Sequence, residues 1–272
     1  MSNTFVQIAA GTVTLLTVMT LAVTLEFIYP KTRRVAKTVL FNATCAIFIG
    51  VWARLLQPIA DVEFAFMRDR VGAAPIPLPA RGLPVIFSAA VLMFVADLIF
   101  YWVHRAQHRY ECLWAMHSFH HSDDDMNVTT AYRHYWLEKP FFLLIFYMPL
   151  GLIFRISPEV GSAFSAMFLF FALFPHMNAS IELGPLTRVL LGPQVHRLHH
   201  SVDPTHFNTN FAGAFPVWDL LFGTYRAPRP GEFPPAGVAS MPGIPGIYDT
   251  LVRTPKRCGT GAPSNEVVVA AL

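Results

Sequence analysis

Charge is what this sequence has least of. Only 14% of its 272 residues are Asp, Glu, Lys or Arg, against about 25% in an ordinary soluble domain. Hydrophobic residues make up 54% of the chain, and the mean hydropathy is +0.44. That balance leaves too few charges to cover a soluble surface of this size, so the chain reads as membrane-embedded. It also excludes intrinsic disorder, collagen-like repeats and coiled coil. Cysteine is scarce as well. Cys45, Cys112 and Cys258 are too few and too scattered for a disulfide framework or a Cys zinc site. The net charge of +3 comes without a basic stripe, which argues against nucleic acid as a partner. No glycine-rich nucleotide motif, flavin site or haem domain is visible.

What is present is a series of long apolar runs. A helix crossing a bilayer needs roughly 20 mostly apolar residues. Phe5 to Tyr29 meets that, and it lacks both an Arg-rich start and a small-residue cleavage site, so it is expected to be a permanent span rather than a cleaved signal. Val39 to Ala60, with Arg54 inside it, is a second expected span. Leu83 to Val103, containing Asp97, is a third. Pro140 to Ile156 and Val160 to Pro175 are shorter, and the turn Ser157-Pro158-Glu159 between them suggests a hairpin. The expected fold is an all-α, polytopic helical bundle of about four to five spans with a cytoplasmic, histidine-rich helical cap. Lys31, Arg33, Arg34 and Lys37 place the loop after the first span in the cytoplasm by the positive-inside rule. Counting onward, His104 to Lys139 and everything after His176 fall on that same side. Three segments are expected: 1–82 with the first spans and an external loop, 83–226 as the catalytic domain, and 227–272 as a tail. The tail is rich in Pro and Gly over Ala227 to Ile247 and loose after Arg257.

Eleven histidines are the anomaly, because most fall in three clusters. His104 and His108 are four residues apart, on one face of the helix that leaves the membrane. His117, His120 and His121 share a face by the same rule. His196, His199 and His200 repeat the H-x-x-H-H spacing. A lone i, i+4 pair is common on solvated helix faces. Three boxes predicted on one membrane face are better explained by a shared metal centre, since neutral imidazole is a common metal ligand. Eight imidazoles, with His176 as a ninth candidate, exceed the four of a tetrahedral zinc and suit two ions with open positions. Imidazole fits iron, copper, zinc or nickel, so ligand type alone does not choose the metal.

The run from Asp97 through Tyr101, His104 and His108 resembles the first box of the fatty acid hydroxylase/sterol desaturase superfamily. Leu113 to Ser122, around His117, His120 and His121, is similar to the second box. His196 to Ser201, then Asn210-Phe211 and Trp218-Asp-Leu-Leu-Phe-Gly-Thr-Tyr225, resemble the third box and the closing motif. The similarity covers about half the chain. It implies a membrane-bound di-iron enzyme that uses O2 as co-substrate, with electrons from outside, to hydroxylate or desaturate a lipid. By that resemblance the boxed histidines and His176 are iron ligands. Arg133-His134 with Glu138 also resembles a family element, and His134 is expected to have a structural role more than a ligating one.

Around the ligands, Asp97 is expected to orient an imidazole or to anchor the helix end. Asp219 is expected either to orient an imidazole or to cap a turn. His206 reads as a loop histidine near the site. Asp123, Asp124 and Asp125 read as a solvated acidic turn. Arg105, Arg109, Arg197 and Arg226 lie near the metal face, where they would steer an acidic donor or simply follow the positive-inside rule. The resemblance implies a ferredoxin, or a cytochrome with its reductase, as electron donor, and a fatty acyl, sterol or isoprenoid lipid as substrate. A short chain without a fused donor leans toward a bacterial inner membrane. Hydroxylation is favoured over desaturation, because nothing points to a particular desaturase. Three rivals stand beside this reading. A membrane zinc hydrolase would want the Glu of H-E-x-x-H, which is missing. A carrier with two bis-histidine haems would leave at least four boxed histidines unexplained. A metal transporter or sensor would want polar residues along the spans.

Overall fold

The computed structural model describes residues 20–32, 35–72, 75–79, 81–179 and 181–239, together with Thr17 and Met241. The first expected span lies for the most part outside the described residues. Its end, residues 20–28, is helical (α1). α1 and the segment after it are tied to later parts of the chain: Lys31 N–H donates to Asn178 O at 2.9 Å, and the fully buried Glu26 accepts from the N–H groups of Val128 and Asn178.

The remaining helices follow the hydropathy. α2, Ala36–Val71, extends the second expected span at its far end and carries Pro58 within it. α3, Leu83–Arg109, continues the third span six residues past Val103 and so carries both histidines of the first box. α4, Glu111–His121, follows after the single residue Tyr110. The next apolar run is not one regular helix. It is α5 (Glu138–Phe142), a π-helical turn over Leu143–Tyr147, and α6 (Met148–Ile153). α7, Pro158–Leu173, begins where Ser157 caps its first turn, as the Ser-Pro-Glu signal suggests. α8 is Pro193–His199 and α9 is Val217–Leu221. Among the described residues, strand structure is confined to the two-residue pair β1 (Ile76–Pro77) and β2 (Phe154–Arg155), apart from two isolated bridges.

Among the described residues, three helices are long and apolar enough to cross a membrane: Ala36–Val71, Leu83–Arg109 and Pro158–His176. The structure is thus a mostly helical membrane-type bundle, and the π-turn divides the run at Glu138–Ile153 into pieces too short to count. The apolar core sits where α3 meets α7 and the π-turn, around Leu92, Met93, Phe146, Leu150, Val160 and Phe164. This packing holds the C-terminal end of α3, with His104 and His108, over the C-terminal end of α7, with His176. The described part of the third segment is irregular, as its Pro and Gly content predicts. It is nevertheless fastened to the third box: Arg197 donates to Pro234 O, and Gly237 N–H donates to His200 O.

Candidate metal centre

Helical spacing places the imidazoles, and the bundle brings the helices together. All nine candidate ligands are buried. They divide into two clusters, within each of which the ligand atoms lie within 4.8 Å of one another. His104, His108, His117, His121 and His199 form one cluster. His120, His176, His196 and His200 form the other. The two H-x-x-H-H boxes are used in crossed fashion. In the second box, the i, i+4 pair His117 and His121 joins the five-histidine cluster while His120 turns to the other. In the third box, the pair His196 and His200 joins the four-histidine cluster while His199 crosses over. The clusters touch where the His121 and His200 rings stack at 4.2 Å.

The nitrogen spacings suit shared ions. Nε2 of His121 lies 3.2 Å from Nε2 of His108 and of His117. Nε2 of His176 lies 3.1 Å from that of His120 and 3.0 Å from that of His196. Nitrogens about 2.1 Å from one ion stand about 3.0–3.4 Å apart. A row of neutral rings crowded nitrogen to nitrogen, without a cation between them, has no comparable reason to persist.

The tautomers point the same way. His104 Nδ1–H donates to Phe211 O at 2.7 Å and His199 Nδ1–H to Thr209 O at 2.8 Å, while Nε2 of each ring is buried without a partner. His176 Nδ1–H donates to Ala172 O. His117 Nδ1–H donates to Glu138 Oε1 at 3.0 Å. An imidazole whose Nδ1 proton is held this way presents its Nε2 lone pair. Burial holds His120, His121, His196 and His200 well below the usual imidazole range and His199 down to about 3. These five rings are therefore neutral, the state a metal needs.

Glu138 is the residue that sequence reading undervalued. It is 2% exposed and accepts from His117, from His134 Nδ1 at 2.8 Å and from Gln107 Nε2 at 2.8 Å. Burial pushes its carboxyl up, but the hydrogen bonds from His117 and His134 prevail and bring it to about 2. A lone carboxylate opening an aromatic run was the available signal. His134 belongs to neither cluster and donates Nδ1–H to Glu138. Its ring stacks parallel on His120, with centroids 5.0 Å apart.

Several expectations need correcting. Asp97 does not touch an imidazole; it accepts the backbone N–H groups of Gly213, Ala214 and Phe215. Asp219 likewise accepts from Phe211 N–H, Ala212 N–H and Thr224 Oγ1, so of its two readings the turn cap holds. Its role reaches the metal centre indirectly, because the turn it closes presents Phe211 O to His104. The closing motif contributes more of the same. Thr224 Oγ1 meets Tyr101 OH at 2.9 Å, and Gly223 turns the chain with φ of 73°. Asn210 adopts φ of 57°, a conformation Asn tolerates, and clamps Arg226 N–H with its side-chain oxygen. His206 is buried in a 3-10 turn, where its Nε2 lies 3.5 Å from Glu232 and outside both clusters. Asp123 is not solvated. It is fully buried, paired with Arg133 at 3.3 Å and hydrogen-bonded to Asn42 and Thr130, so it joins α2 to the second box. Arg197 is only 6% exposed and lies over the Phe233 ring at 3.8 Å, so it is not available to steer a partner.

Comparison with known proteins agrees with the geometry. The chain is 37% identical over 129 residues to alkylglycerol monooxygenase of Xenopus tropicalis, covering 47% of this chain and 28% of that protein. It is 37% identical over 131 residues to the Homo sapiens alkylglycerol monooxygenase, covering 48% and 29%. An ornithine lipid hydroxylase of Rhizobium tropici is 31% identical over 150 residues, covering 55% and 45%. The chain thus spans less than half the length of each of these relatives. No solved structure matches it. Residues 89–224, which hold all nine candidate ligands, match the family described as fatty acid hydroxylase, and the chain belongs to that family.

Proposed function

We propose that this chain is an O2-dependent membrane oxygenase that hydroxylates a lipid on a pair of iron ions. The observation that carries the reading is the division of nine buried imidazoles into two adjoining clusters of five and four. His104, His108, His117, His121 and His199 would hold one iron, and His120, His176, His196 and His200 the other. When bound, such a pair supplies the O2-activating redox chemistry that no side chain has and that an unactivated C–H bond demands.

The chain's own part is to hold, to orient and to keep dry. Phe211, Thr209, Ala172 and Glu138 fix the ring tautomers. Phe211 packs edge-on against His104, His108 and His199, and Phe100 lies 5.1 Å from His104, so one side of the five-histidine cluster is walled by aromatic rings. A cavity of about 20 Å3, lined by His108, His121, His199, Trp114 and Phe207 among others, reaches the same cluster. It has room for about one water, or for a molecule the size of O2. The stacked Phe100 and Phe142 rings join the aromatic wall of the cluster to the packed α3–α7 core.

The relatives named for an alkylglycerol and an ornithine lipid support a lipid substrate. Electrons would come from a separate donor, a ferredoxin or a cytochrome with its reductase, approaching near Arg105, Arg109 and Arg226. The arrangement of about four to five spans with the histidines on the cytoplasmic face of a bacterial inner membrane belongs to the same proposal.

Metal analysis and lipidomics test it together. The purified chain is expected to hold two irons, and cells carrying the gene are expected to gain a lipid heavier by one oxygen, dependent on O2. A product lighter by two hydrogens would mark a desaturase instead. Zinc as the resident metal with O2-independent hydrolysis would overturn the reading.

A further inference from the structure

Five consecutive backbone N–H groups, from Phe211 to Phe215, donate to two buried carboxylates. Asp219 takes Phe211 and Ala212 at 2.7 and 2.9 Å. Asp97 takes Gly213, Ala214 and Phe215 at 2.7, 3.0 and 2.7 Å. The Ala214 carbonyl accepts from Leu191 N–H, and the Phe211 carbonyl from His104. Burial of Phe211, Ala212 and Ala214 already requires internal partners in any protein, and the set here is complete enough to serve at membrane depth as well. Non-helical backbone at that depth needs such a set, because hydrocarbon offers no hydrogen bonds.

The position of the loop agrees. Asp97 lies seven residues before His104 on α3, about 10 Å further along the helix axis toward the other end of the span. α9 goes deeper still: the Trp218 ring lies 4.5 Å from Phe94, three residues beyond Asp97. Phe94 is itself on the outer face of α3, where Phe87 is 69% exposed. Trp218 and Asp219 point inward, whereas Val217, Leu220 and Leu221 are exposed, Leu221 at 66%. The outer face of α9, made of Val217, Leu220 and Leu221, carries no charged residue and lies beside the apolar outer face of α3. Gly213 permits the approach, since a Cβ there would meet the Phe100 ring at 3.0 Å and Asp97 Oδ1 at 3.2 Å.

We propose that residues 211–222 form a re-entrant segment that descends beside α3, with the outer face of α9 against the hydrocarbon chains of the bilayer lipid. This rests on α3 being a membrane span. It departs from the expectation that everything after His176 lies on the cytoplasmic face. It also gives the segment a place in the lipid chemistry, because Phe211, at its start, lines three rings of the five-histidine cluster. A lipid chain running along α9 would reach the metal centre without leaving the membrane.

Photocrosslinking distinguishes the outcomes. Leu221→p-benzoylphenylalanine is compared with the same substitution at Phe87, on the outer face of α3, and at Thr205, an exposed loop residue. Each full-length variant is reconstituted in phosphatidylethanolamine/phosphatidylglycerol vesicles, irradiated and analysed by mass for lipid adducts. Acyl-chain adducts are expected at 221 at a yield within about twofold of that at 87 and at least about tenfold above that at 205. A yield at 221 no greater than at 205, or a crosslink to a second copy of the chain, overturns the proposal. No lipid adduct at 87 would instead overturn the reading of α3 as a span. Repeating the measurement at Leu220 covers a local failure of the Leu221 variant.

Discussion

The two histidine clusters use the same ligand and are built differently. In the five-histidine cluster, three Nδ1 protons are held by named acceptors: His104 by Phe211 O, His199 by Thr209 O and His117 by Glu138. In the four-histidine cluster only His176 is held so, by Ala172 O. Nδ1 of His120, His196 and His200 is buried without a partner. Those rings are placed by packing instead, His120 against His134 and His200 against His121. Hydrogen bonds fix a ring's tautomer as well as its plane; stacking fixes the plane alone. On the proposed reading, three rings of one cluster are oriented before any ion binds, and three rings of the other would be left to be oriented by their ion.

The largest effect should come from removing a ligand on either side. His199→Ala and His120→Ala are each expected to lower bound iron from two toward one and to reduce O2-dependent product by more than about 100-fold, with membrane insertion intact. Iron analysis beside product assays checks this, and full activity in either variant would undo the ligand assignment.

A smaller loss is expected from Glu138→Gln, since an amide cannot accept from both His117 and His134 as the carboxylate does. Metal affinity of the five-histidine cluster should fall about 10–100-fold, while the other cluster keeps its ion. A competition titration with a chelator would resolve the two steps. Equal weakening of both would erase the difference between them.

Acid acts on both clusters through the metal-free protein. The unfolded imidazoles take up protons near pH 6.5, whereas burial holds the folded His199 to about 3 and His120, His121, His196 and His200 well below their usual range. The unfolded state therefore binds more protons in this window. Stability is fully present above about pH 6.5 and should fall progressively as the pH drops toward 3. Thermal unfolding of the metal-free protein in detergent at stepped pH tests the sign, and a midpoint that rises on acidification would contradict it.

The mildest change should be His206→Ala, which removes a contact to Glu232 outside both clusters. A loss of about 1–2 kcal/mol with two irons retained is the expected outcome. Loss of iron in that variant would extend the centre beyond the nine histidines.

Much of this was legible before the fold. The continuation of the third span's helix through His104 and His108, the turn at Ser157 and the shared faces of each box follow from hydropathy and from the 3.6-residue period, which are local. The carriers of order around the rings were not legible. Asp97 was expected to orient an imidazole or to anchor a helix end, and it holds a loop 116 to 118 residues away. Asp123 looked like a solvated turn because its neighbours are acidic, yet Arg133 and Asn42 bury it. No spacing rule announces a backbone carbonyl such as Phe211 O as the group that sets a tautomer.

By itself the sequence determined that the chain belongs in a membrane and that nine imidazoles are available for metal, since composition and helical period suffice for both. Only the tertiary structure decided which imidazole joins which cluster, and which rings are held before metal arrives. Within each H-x-x-H-H box the histidines four residues apart share a cluster, while the one between them, His120 or His199, turns to the other. That choice depends on partners outside the box, from Thr209 ten residues from His199 to His176 fifty-six residues from His120, which only the packed bundle brings within reach.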